Sequence, residues 1–232
     1  MSKIFNNDTV SPDAYWFLHS IEEIFIDEVY KFECHKDSPR IIDCGSNIGL
    51  SIIYFKRRFP HAEVIGFEPD PELLNYAQQN IDNFCMKDNV TLINKAVWKY
   101  NGTIPFYIEG TLGGAIVENA IPKDNVIEVP CIDISTLLKN RVDFLKIDIE
   151  GAELEVLDHC KNNLHVVENM FVEFHGFKNK QQTLNQLLEI ISSAGFRYYI
   201  KESYPNLRFP FIEKVPRNNS YDVLLNIFCY RV

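Results

Sequence analysis

The segment Asp43-Cys44-Gly45-Ser46-Asn47-Ile48-Gly49 decides the fold, because it joins a strand-like run to a helix-like run through a turn containing two glycines. Residues 40–44 form a short apolar run, which predicts a buried strand. Residues 49–59 predict a helix that ends before Pro60. Glycine permits a tight turn in which the backbone approaches a ligand closely, and the start of a helix offers free N–H groups. Taken alone, the segment is as consistent with an ordinary strand–helix connection as with a ligand-binding turn.

The spacing of the glycines distinguishes between two kinds of ligand. The dinucleotide-binding pattern G-x-G-x-x-G is not met, because position 47 is Asn and Gly49 completes a G-x-x-x-G spacing. A pyrophosphate cradle is therefore disfavoured relative to a pocket for the uncharged chain of a nucleoside ligand.

Strand-like and helix-like runs alternate along the rest of the chain at short intervals. This alternation predicts βαβ units and a mostly parallel sheet with helices on both faces. The strongly apolar run 221–230 predicts a last strand, which in such sheets is commonly antiparallel. The other predicted strands are 63–68, 90–94, 142–147, 169–174 and 196–200, and the other predicted helices are 13–33, 70–84, 150–162 and 180–194.

The length of 232 residues accommodates one large α/β domain. We assign residues 40–232 to this domain and residues 1–39 to an N-terminal helical extension. Residues 102–131 are rich in glycine and β-forming residues, so they predict a hairpin or lid inserted in the domain. The Pro- and Asn-rich stretch 204–220 predicts a loop near the site.

Composition narrows the function classes. The formal net charge of −9 argues against the basic surface of a nucleic-acid-binding protein. Six cysteines without a CxxC pair predict free, buried thiols in a reducing compartment. The N-terminus lacks the apolar core of a signal peptide, and no apolar run reaches the ~20 residues that span a bilayer. We therefore expect a cytoplasmic protein without a transmembrane segment.

A carboxylate ends the second predicted strand of the domain. Glu68 follows the apolar run 63–67 and precedes Pro69, which fixes the loop. An acid at this position accepts hydrogen bonds from ribose hydroxyls in Rossmann-like folds. The competing interpretation is a helix-capping acid, for which Asp70 is the better candidate.

Three charged residues alternate at the end of a later strand. Lys146, Asp148 and Glu150 follow an apolar run, and the period of two places them on one face. Buried charges are costly unless they are paired or used, and open α/β sheets bind ligands at the carboxyl ends of their strands. A salt bridge and helix capping would explain Glu153 but leave Lys146 and Asp148 unexplained.

Glu173 and His175 alternate in the same way at the end of the next predicted strand. If this strand neighbours the previous one, Asp148, Glu173 and His175 converge. A lone histidine is usually structural, but one beside two carboxylates at the mouth of such a sheet is a candidate general base, because a carboxylate orients the imidazole and raises its basicity.

Together these residues resemble the FkbM-type methyltransferases. The matching stretches occur in the family's order and at its spacing, and the resemblance covers roughly residues 40–175. They are Ile42-Asp43-Cys44-Gly45-Ser46-Asn47-Ile48-Gly49, Phe67-Glu68-Pro69, Asn94-Lys95-Ala96-Val97, Lys146-Ile147-Asp148-Ile149-Glu150-Gly151-Ala152-Glu153 and Val172-Glu173-Phe174-His175.

The resemblance implies the Rossmann-like class I methyltransferase fold, S-adenosylmethionine as methyl donor and O-methylation of a sugar, glycan or related metabolite. Glu68 would hold the ribose, Ala96 would lie near the adenine, and Asp148 would lie near the donor sulfonium and the acceptor. The residues expected around the methionine end of the cofactor are Asp43, Gly45, Ser46, Asn47 and Gly49. The resemblance is weakest over residues 102–131, where acceptor choice is expected to lie.

Several alternatives stay open from the sequence. His175 is the preferred base, oriented by Asp148 or Glu173, and a magnesium or manganese ion held by these three residues is the less favoured variant. An NAD-dependent oxidoreductase is disfavoured by Asn47 and the missing third glycine. A non-catalytic binding domain is disfavoured by the polar groups at three strand ends. The acceptor's identity and the oligomeric state are left open.

Overall fold

A computed structural model of the protein describes residues 2–108, 114–116, 125–178, 180–203, 209–213 and 221–232. The strands are β1 (Ser2–Ile4), β2 (Asn7–Thr9), β3 (Arg40–Cys44), β4 (Glu63–Phe67), β5 (Val90–Ile93), β6 (Ala96–Trp98), β7 (Gly102–Ile108), β8 (Gly114–Ile116), β9 (Val126–Asp133), β10 (Val142–Ile147), β11 (Val167–Phe177), β12 (Arg197–Glu202) and β13 (Tyr221–Tyr230). The α-helices are α1 (Ala14–Ile21), α2 (Leu50–Arg58), α3 (Pro71–Asn83), α4 (Glu153–Cys160), α5 (Leu184–Ser193) and α6 (Pro210–Glu213).

The central sheet has seven described strands in the order β12-β13-β11-β10-β3-β4-β5. The five strands from β11 to β5 are parallel to one another, whereas β13 runs antiparallel to both β11 and β12. The predicted α/β fold with a mostly parallel sheet and an antiparallel last strand is confirmed. The last strand is inserted between β11 and β12, so it does not form the edge of the sheet.

Alternate residues of the central strands enter two apolar cores, one on each face of the sheet. Strand β10 is buried along its whole length, as expected where helices cover both faces of a parallel sheet. The period of two sends one residue of each neighbouring pair to either core. The residues Ile42, Leu145 and Val172 pack in one core, and Ile41, Phe144 and Phe171 pack in the other.

The predicted helix 13–33 is shorter than expected. Helix α1 continues as a π-helical turn over Glu22–Ile26 and then breaks, and Glu28 has a φ of 50°. The following aromatic residues instead pack into the core: the ring of Tyr30 lies 4.9 Å from that of Phe171, and Phe32 stacks on Phe144 at 4.7 Å. This tertiary burial outweighs the helical periodicity of the segment.

The predicted hairpin or lid over 102–131 corresponds in its described part to strands β7, β8 and β9. With β6 they form a second, four-stranded sheet in the order β6-β9-β7-β8, in which β7 runs antiparallel to both β8 and β9. Residues 109–113 and 117–124 of this insertion lie outside the described residues, as do 204–208 and 214–220 of the predicted loop near the site.

Two further expectations concern cysteines and membranes. All six cysteines are unpaired; Cys34 is half-buried and Cys85 exposed, and the other four are buried. None of the helices in the described part of the chain combines the length and apolar character needed to cross a bilayer.

Candidate active site

The carboxyl ends of four neighbouring strands bring the predicted site residues to one edge of the sheet. Asp148 directly follows β10 and donates its backbone N–H to the carbonyl of Cys44 over 3.1 Å. Because Ile147 is in register with Val172 and Cys44 with Phe67, the acids Glu173 and Glu68 reach the same level. The predicted convergence at this edge is confirmed.

The two glycines of the strand–helix turn are required for different reasons. Gly45 has a φ of 87°, and a Cβ there would lie 1.9 Å from the carbonyl oxygen of Asp148. The turn therefore presses directly against the end of β10. Gly49 has a φ of 84° and packs against Ala77 of α3, where a Cβ would lie 3.2 Å from the nearest atom. Its close neighbour is thus another helix.

Lys146 neutralises the buried carboxylates beneath this turn. Its Nζ lies 3.3 Å from Oδ1 of Asp43 and 3.1 Å from Oδ2 of Asp148, and it donates to the carbonyl of Gly45 over 2.7 Å. Burial by itself would lower the pKa of Lys146, but Asp148 and Asp43 outweigh it and hold that pKa well above 10.5. The lysine therefore stays charged and fixes the turn to β10.

Asp43 supports the turn from below. Its side chain is fully buried, accepts a hydrogen bond from Oγ of Ser51 at 2.5 Å, and has a pKa raised by burial. Among the described residues that line the cavities at this edge, Asp43 is absent. Its contacts are with the residues that shape the site.

Glu68 ties the turn to the start of α3. Its Oε2 accepts the backbone N–H of Asn47 at 2.9 Å, and its Oε1 accepts that of Asp70 at 2.9 Å. Asp70 caps α3 by accepting the N–H groups of Glu72 and Leu73, so capping is not the function of Glu68. Burial raises the pKa of Glu68 to about 8. Each of its oxygens retains acceptor capacity for a ligand.

Two of the cavities formed by the described residues meet at this edge. The Glu68 cavity contains Glu68 and Ala96 together with apolar side chains from the second sheet, Phe106 and Ile116. The Glu173 cavity contains residues from the turn, the strand ends and helix α1. Its lining includes Trp16, His19, Ser20, Glu23, Ser46, Asn47, Glu173, His175, Ser203 and Tyr221. Both cavities share Gly45, Asp148 and Glu150.

His175 is enclosed by carboxylates. Its Nδ1 lies 3.1 Å from Glu153, and its Nε2 lies 3.2 Å from Glu150 and 3.9 Å from Glu173. Burial alone would lower the pKa of His175, but Glu150 and Glu153 outweigh it and hold that pKa well above 6.5. The imidazole is thus oriented chiefly by Glu153 and Glu150, where the sequence suggested Asp148 or Glu173.

Glu153 combines this contact with a local one. Its Oε1 also accepts the backbone N–H of Gly151 at 2.8 Å, at the start of α4. The capping role expected for this residue is therefore only part of its function, because the same oxygen holds His175.

Asp148 and Glu173 differ in their affinity for a proton. For Asp148, Lys146 outweighs the effect of burial and keeps its pKa below the ordinary value. For Glu173, burial and the nearby charge of Asp148 raise the pKa well above 4.5. Such a division favours the ionised form of Asp148 and the protonated form of Glu173 in adjacent positions. One atom each of Asp148, Glu173 and His175 lie within 4.8 Å of one another, a spacing that could also hold a cation.

The wall contributed by α1 and the π-helical turn was not foreseen from the sequence. Trp16, His19, Ser20 and Glu23 belong to no motif, and their helical spacing is equally typical of a core-facing helix. The described part of the 102–131 insertion lines the Glu68 cavity, on the side of Ala96, and contributes no described residue to the Glu173 cavity.

A scan against known families gives an independent result. The model of the methyltransferase FkbM domain matches residues 43–198. The protein named methyltransferase sdnD from Sordaria araneosa is 27% identical over 201 residues, covering 69% of this chain and 78% of its own. The 2-O-methyltransferase NoeI of Sinorhizobium fredii is 24% identical over 215 residues, covering 82% and 80% of the two chains.

Solved structures show the same fold at low sequence identity. The methyltransferase FkbM from Methylobacillus flagellatus KT superposes with a TM-score of 0.54 at 17% identity, over 84% of this chain and 45% of that one. TYW2 of M. jannaschii, solved in complex with AdoMet, gives a TM-score of 0.54 at 12% identity, over 99% and 85% of the chains.

The matched region includes the glycine turn and every carboxylate described at the sheet edge except Glu23. It also spans more than half of the chain, which decides against the oxidoreductase and against a domain without an activity. The chain belongs to the FkbM methyltransferase family and is an S-adenosylmethionine-dependent methyltransferase.

Proposed function

We propose that the protein transfers a methyl group from S-adenosylmethionine to a hydroxyl of a sugar, a glycan or a related metabolite. The observation that carries this proposal is the junction of the two cavities at Gly45, Asp148 and Glu150. A donor whose adenosine lies in the Glu68 cavity would pass this junction, reach the glycine turn with its methionine end, and there face an acceptor in the Glu173 cavity. The methyltransferase domain in this proposal spans residues 40–232, with residues 1–39 as its N-terminal extension.

The chemistry of the Glu68 cavity suits the donor. Glu68 would accept hydrogen bonds from the ribose hydroxyls, and Ala96 would lie against the adenine with Phe106 and Ile116. The hydroxyl of Ser46 is buried without a partner among the described residues, so a ligand at the turn would satisfy an otherwise unpaired group. Gly45, Ser46 and Asn47 would contact the methionine end. Asp43 and Gly49 would act by holding the turn in place.

The charges of the Glu173 cavity favour a cationic ligand. Its lining includes the ionised carboxylate of Asp148, and the carboxyl groups of Glu150 and Glu173 can ionise beside a bound cation, whereas Lys146 is already paired with two carboxylates. S-adenosylmethionine supplies a methyl group activated by a positive sulfonium and also carries an ammonium group. The two phosphates of NAD would meet like charge at the same edge.

We expect S-adenosylmethionine and S-adenosylhomocysteine to raise the melting temperature, and NAD to leave it unchanged. A ligand at 100 times its dissociation constant stabilises a protein by about 2.7 kcal/mol. Differential scanning fluorimetry with each ligand at matched concentration checks this. Stabilisation by NAD with no response to S-adenosylhomocysteine would contradict the donor assignment.

Substituting Glu68 by alanine is expected to weaken S-adenosylhomocysteine binding by about 1–3 kcal/mol, because ribose hydroxyls would lose their acceptor. Isothermal titration calorimetry measures the effect. Glu72→Gln is the matched control, since this exposed acid follows four residues later and lies outside both cavities. An unchanged dissociation constant for Glu68→Ala would show that Glu68 does not bind the ligand and serves only to accept the backbone N–H groups of Asn47 and Asp70.

The acceptor side requires alignment and removal of a hydroxyl proton. In-line attack depends on holding the acceptor oxygen at the junction, next to Asp148, which stays ionised. In this proposal His175 takes the proton after its own proton has left to solvent, while Asp148 and Glu173 position the hydroxyl. The proposal needs no metal ion, although the three side chains could bind one.

The test of the function is methyl transfer itself. The enzyme is incubated with donor carrying a labelled methyl group and with a panel of sugars, glycans and hydroxylated metabolites, and products are identified by mass spectrometry. A labelled methyl ether supports the proposal. Label found only on nitrogen, sulfur or nucleic acid would overturn it. The net charge of −9 already disfavours a polyanionic acceptor.

The six unpaired cysteines support a reducing, cytoplasmic setting for this reaction.

A further inference from the structure

The N-terminal extension supplies one wall of the Glu173 cavity. Four polar or aromatic residues spaced along α1 and the following π-helical turn line it, and they face the glycine turn and the strand ends. They are Trp16, His19, Ser20 and Glu23. The roles assigned above to the donor and to proton transfer use none of these side chains.

Glu23 is fixed at the level of the catalytic cluster. Its Oε1 accepts a hydrogen bond from Nδ2 of Asn226 at 2.8 Å, and Asn226 is the register partner of Glu173 across β13 and β11. Among the described residues, none donates a hydrogen bond to Oε2 of Glu23. The carboxylate thus reaches from the extension to the cavity with one oxygen anchored and the other available to a ligand.

The π-helical turn is the second unusual feature of this residue. It runs from Glu22 to Ile26, and the backbone N–H of Asp27 bonds to the carbonyl of Glu22 over five residues. Such turns are rare and occur frequently at functional sites, because they re-aim side chains at a small cost in helix regularity. Here the turn contains the side chain that reaches Asn226.

Trp16 offers a large apolar surface beside these polar groups. It lines the cavity and is 39% exposed, although an indole of this size usually buries most of its area. A pyranose ring has an apolar face of C–H groups and a rim of hydroxyls. An aromatic wall next to a carboxylate matches both parts.

We propose that Trp16 and Glu23 form the acceptor-binding wall of this enzyme. Trp16 packs against the C–H face of a pyranose ring, and Glu23 accepts a hydrogen bond from a hydroxyl next to the one that is methylated. This inference rests on the proposed function, and it assigns acceptor recognition to residues 14–26 of the extension.

Fluorescence gives a test of Trp16 that does not depend on turnover. The chain has two tryptophans, and Trp98 is buried, so Trp98→Phe leaves Trp16 as the reporter. Methyl pyranosides of neutral hexoses, 6-deoxyhexoses and N-acetylhexosamines are titrated in the presence of S-adenosylhomocysteine. We expect a saturable change in Trp16 emission with at least one of them, and none with the alcohol cyclohexylmethanol at the same concentrations.

Kinetics test Glu23. For the sugar that binds, Glu23→Gln is expected to raise KM about 10-fold or more, since a hydrogen bond to a charged group is lost, and to change kcat much less. The substitution retains the Oε1 acceptor for Asn226. Glu22→Gln is the control, because Glu22 is an exposed neighbour outside the cavity and the KM of this variant should stay at the wild-type value. S-adenosylhomocysteine affinity should be equal in all variants.

The outcomes separate this inference from the proposed function. A sugar that is methylated with an unchanged KM in Glu23→Gln and no Trp16 response would overturn the inference and leave the function standing. Absence of both binding and methylation for every sugar, with normal donor binding, would overturn the carbohydrate acceptor and the wall together. Loss of donor binding in Glu23→Gln would assign the residue to the donor side and also overturn the inference.

Discussion

The His175→Ala variant is expected to turn over about 10²–10⁴ times more slowly than the wild type, with donor binding nearly intact. The expected loss follows from position. His175 lies in the Glu173 cavity beside Asp148, at the junction where the acceptor hydroxyl would be held. The Glu68 cavity does not include it, so the donor's adenosine part should bind as before.

The dependence of rate on pH gives the more specific measurement. Because Glu150 and Glu153 hold the pKa of His175 well above 6.5, the imidazole keeps its proton at neutral pH. A base must first lose that proton, so kcat of the wild type should rise as pH increases through this raised pKa. His175→Ala should lack this rise. A wild-type rate that falls over the same range would contradict the assignment of His175 as the base.

A second substitution guards against structural damage. Removing the imidazolium leaves Glu150 and Glu153 without their shared partner, which can destabilise the fold. His175→Gln fills most of the space and can still donate one hydrogen bond. The control is His159→Gln, because His159 also contacts a carboxylate, that of Asp133 at 2.9 Å, but lies outside both cavities. This control should keep wild-type turnover.

Metal dependence is decided in the same experiment. If His175 is instead a ligand to magnesium or manganese, a chelator should abolish the activity of the wild type. Added metal should restore the activity of the wild type but not that of the variant. Wild-type turnover in His175→Ala would remove both roles. Glu173 and Asp148 would then be the remaining candidates for the proton acceptor.

The residues that could be predicted from the sequence are those whose signal is local. Asp43, Glu68 and Asp148 lie at or just after the end of an apolar strand, and Glu173 follows the last residue of β11 that pairs with β10. Because paired parallel strands end at a common edge, the convergence of these acids follows once the strands are recognised. The positive φ of Gly45 is likewise a property of the turn itself, whereas its close contact with the carbonyl of Asp148 is not local.

The contacts that escaped prediction join distant parts of the chain. Glu23 and Asn226 are separated by 203 positions, and neither belongs to a motif. The break after Ile26 depends on aromatic packing with β10 and β11, which periodicity within residues 13–33 does not reveal. The pairing of His175 with Glu153 depends on the turn between β10 and α4, in which Glu150 and Gly151 have positive φ. Local sequence patterns carry no information about contacts between residues that are this far apart in the chain.

Replacing Lys146 by methionine is expected to destabilise the protein by about 3–5 kcal/mol, which is the cost of leaving a buried carboxylate without its partner. Lys146 is 2% exposed and Asp43 is fully buried. The substitution also removes the bond from Nζ to the Gly45 carbonyl, so the turn should loosen and S-adenosylhomocysteine affinity should fall. Urea unfolding and calorimetric titration measure the two effects.

A double substitution separates lost charge compensation from lost packing. In Lys146→Met with Asp43→Asn, the uncompensated charge is gone, so part of the stability should return relative to Lys146→Met alone. The matched control is Lys161→Met: its ion pair with Asp158 has a similar length, 2.9 Å, but both side chains are more than half exposed. Exposed pairs contribute about 0–1 kcal/mol. Equal effects at positions 146 and 161 would mean that water or Ser51 already compensates Asp43, and Lys146 would then serve the turn only through its bond to Gly45.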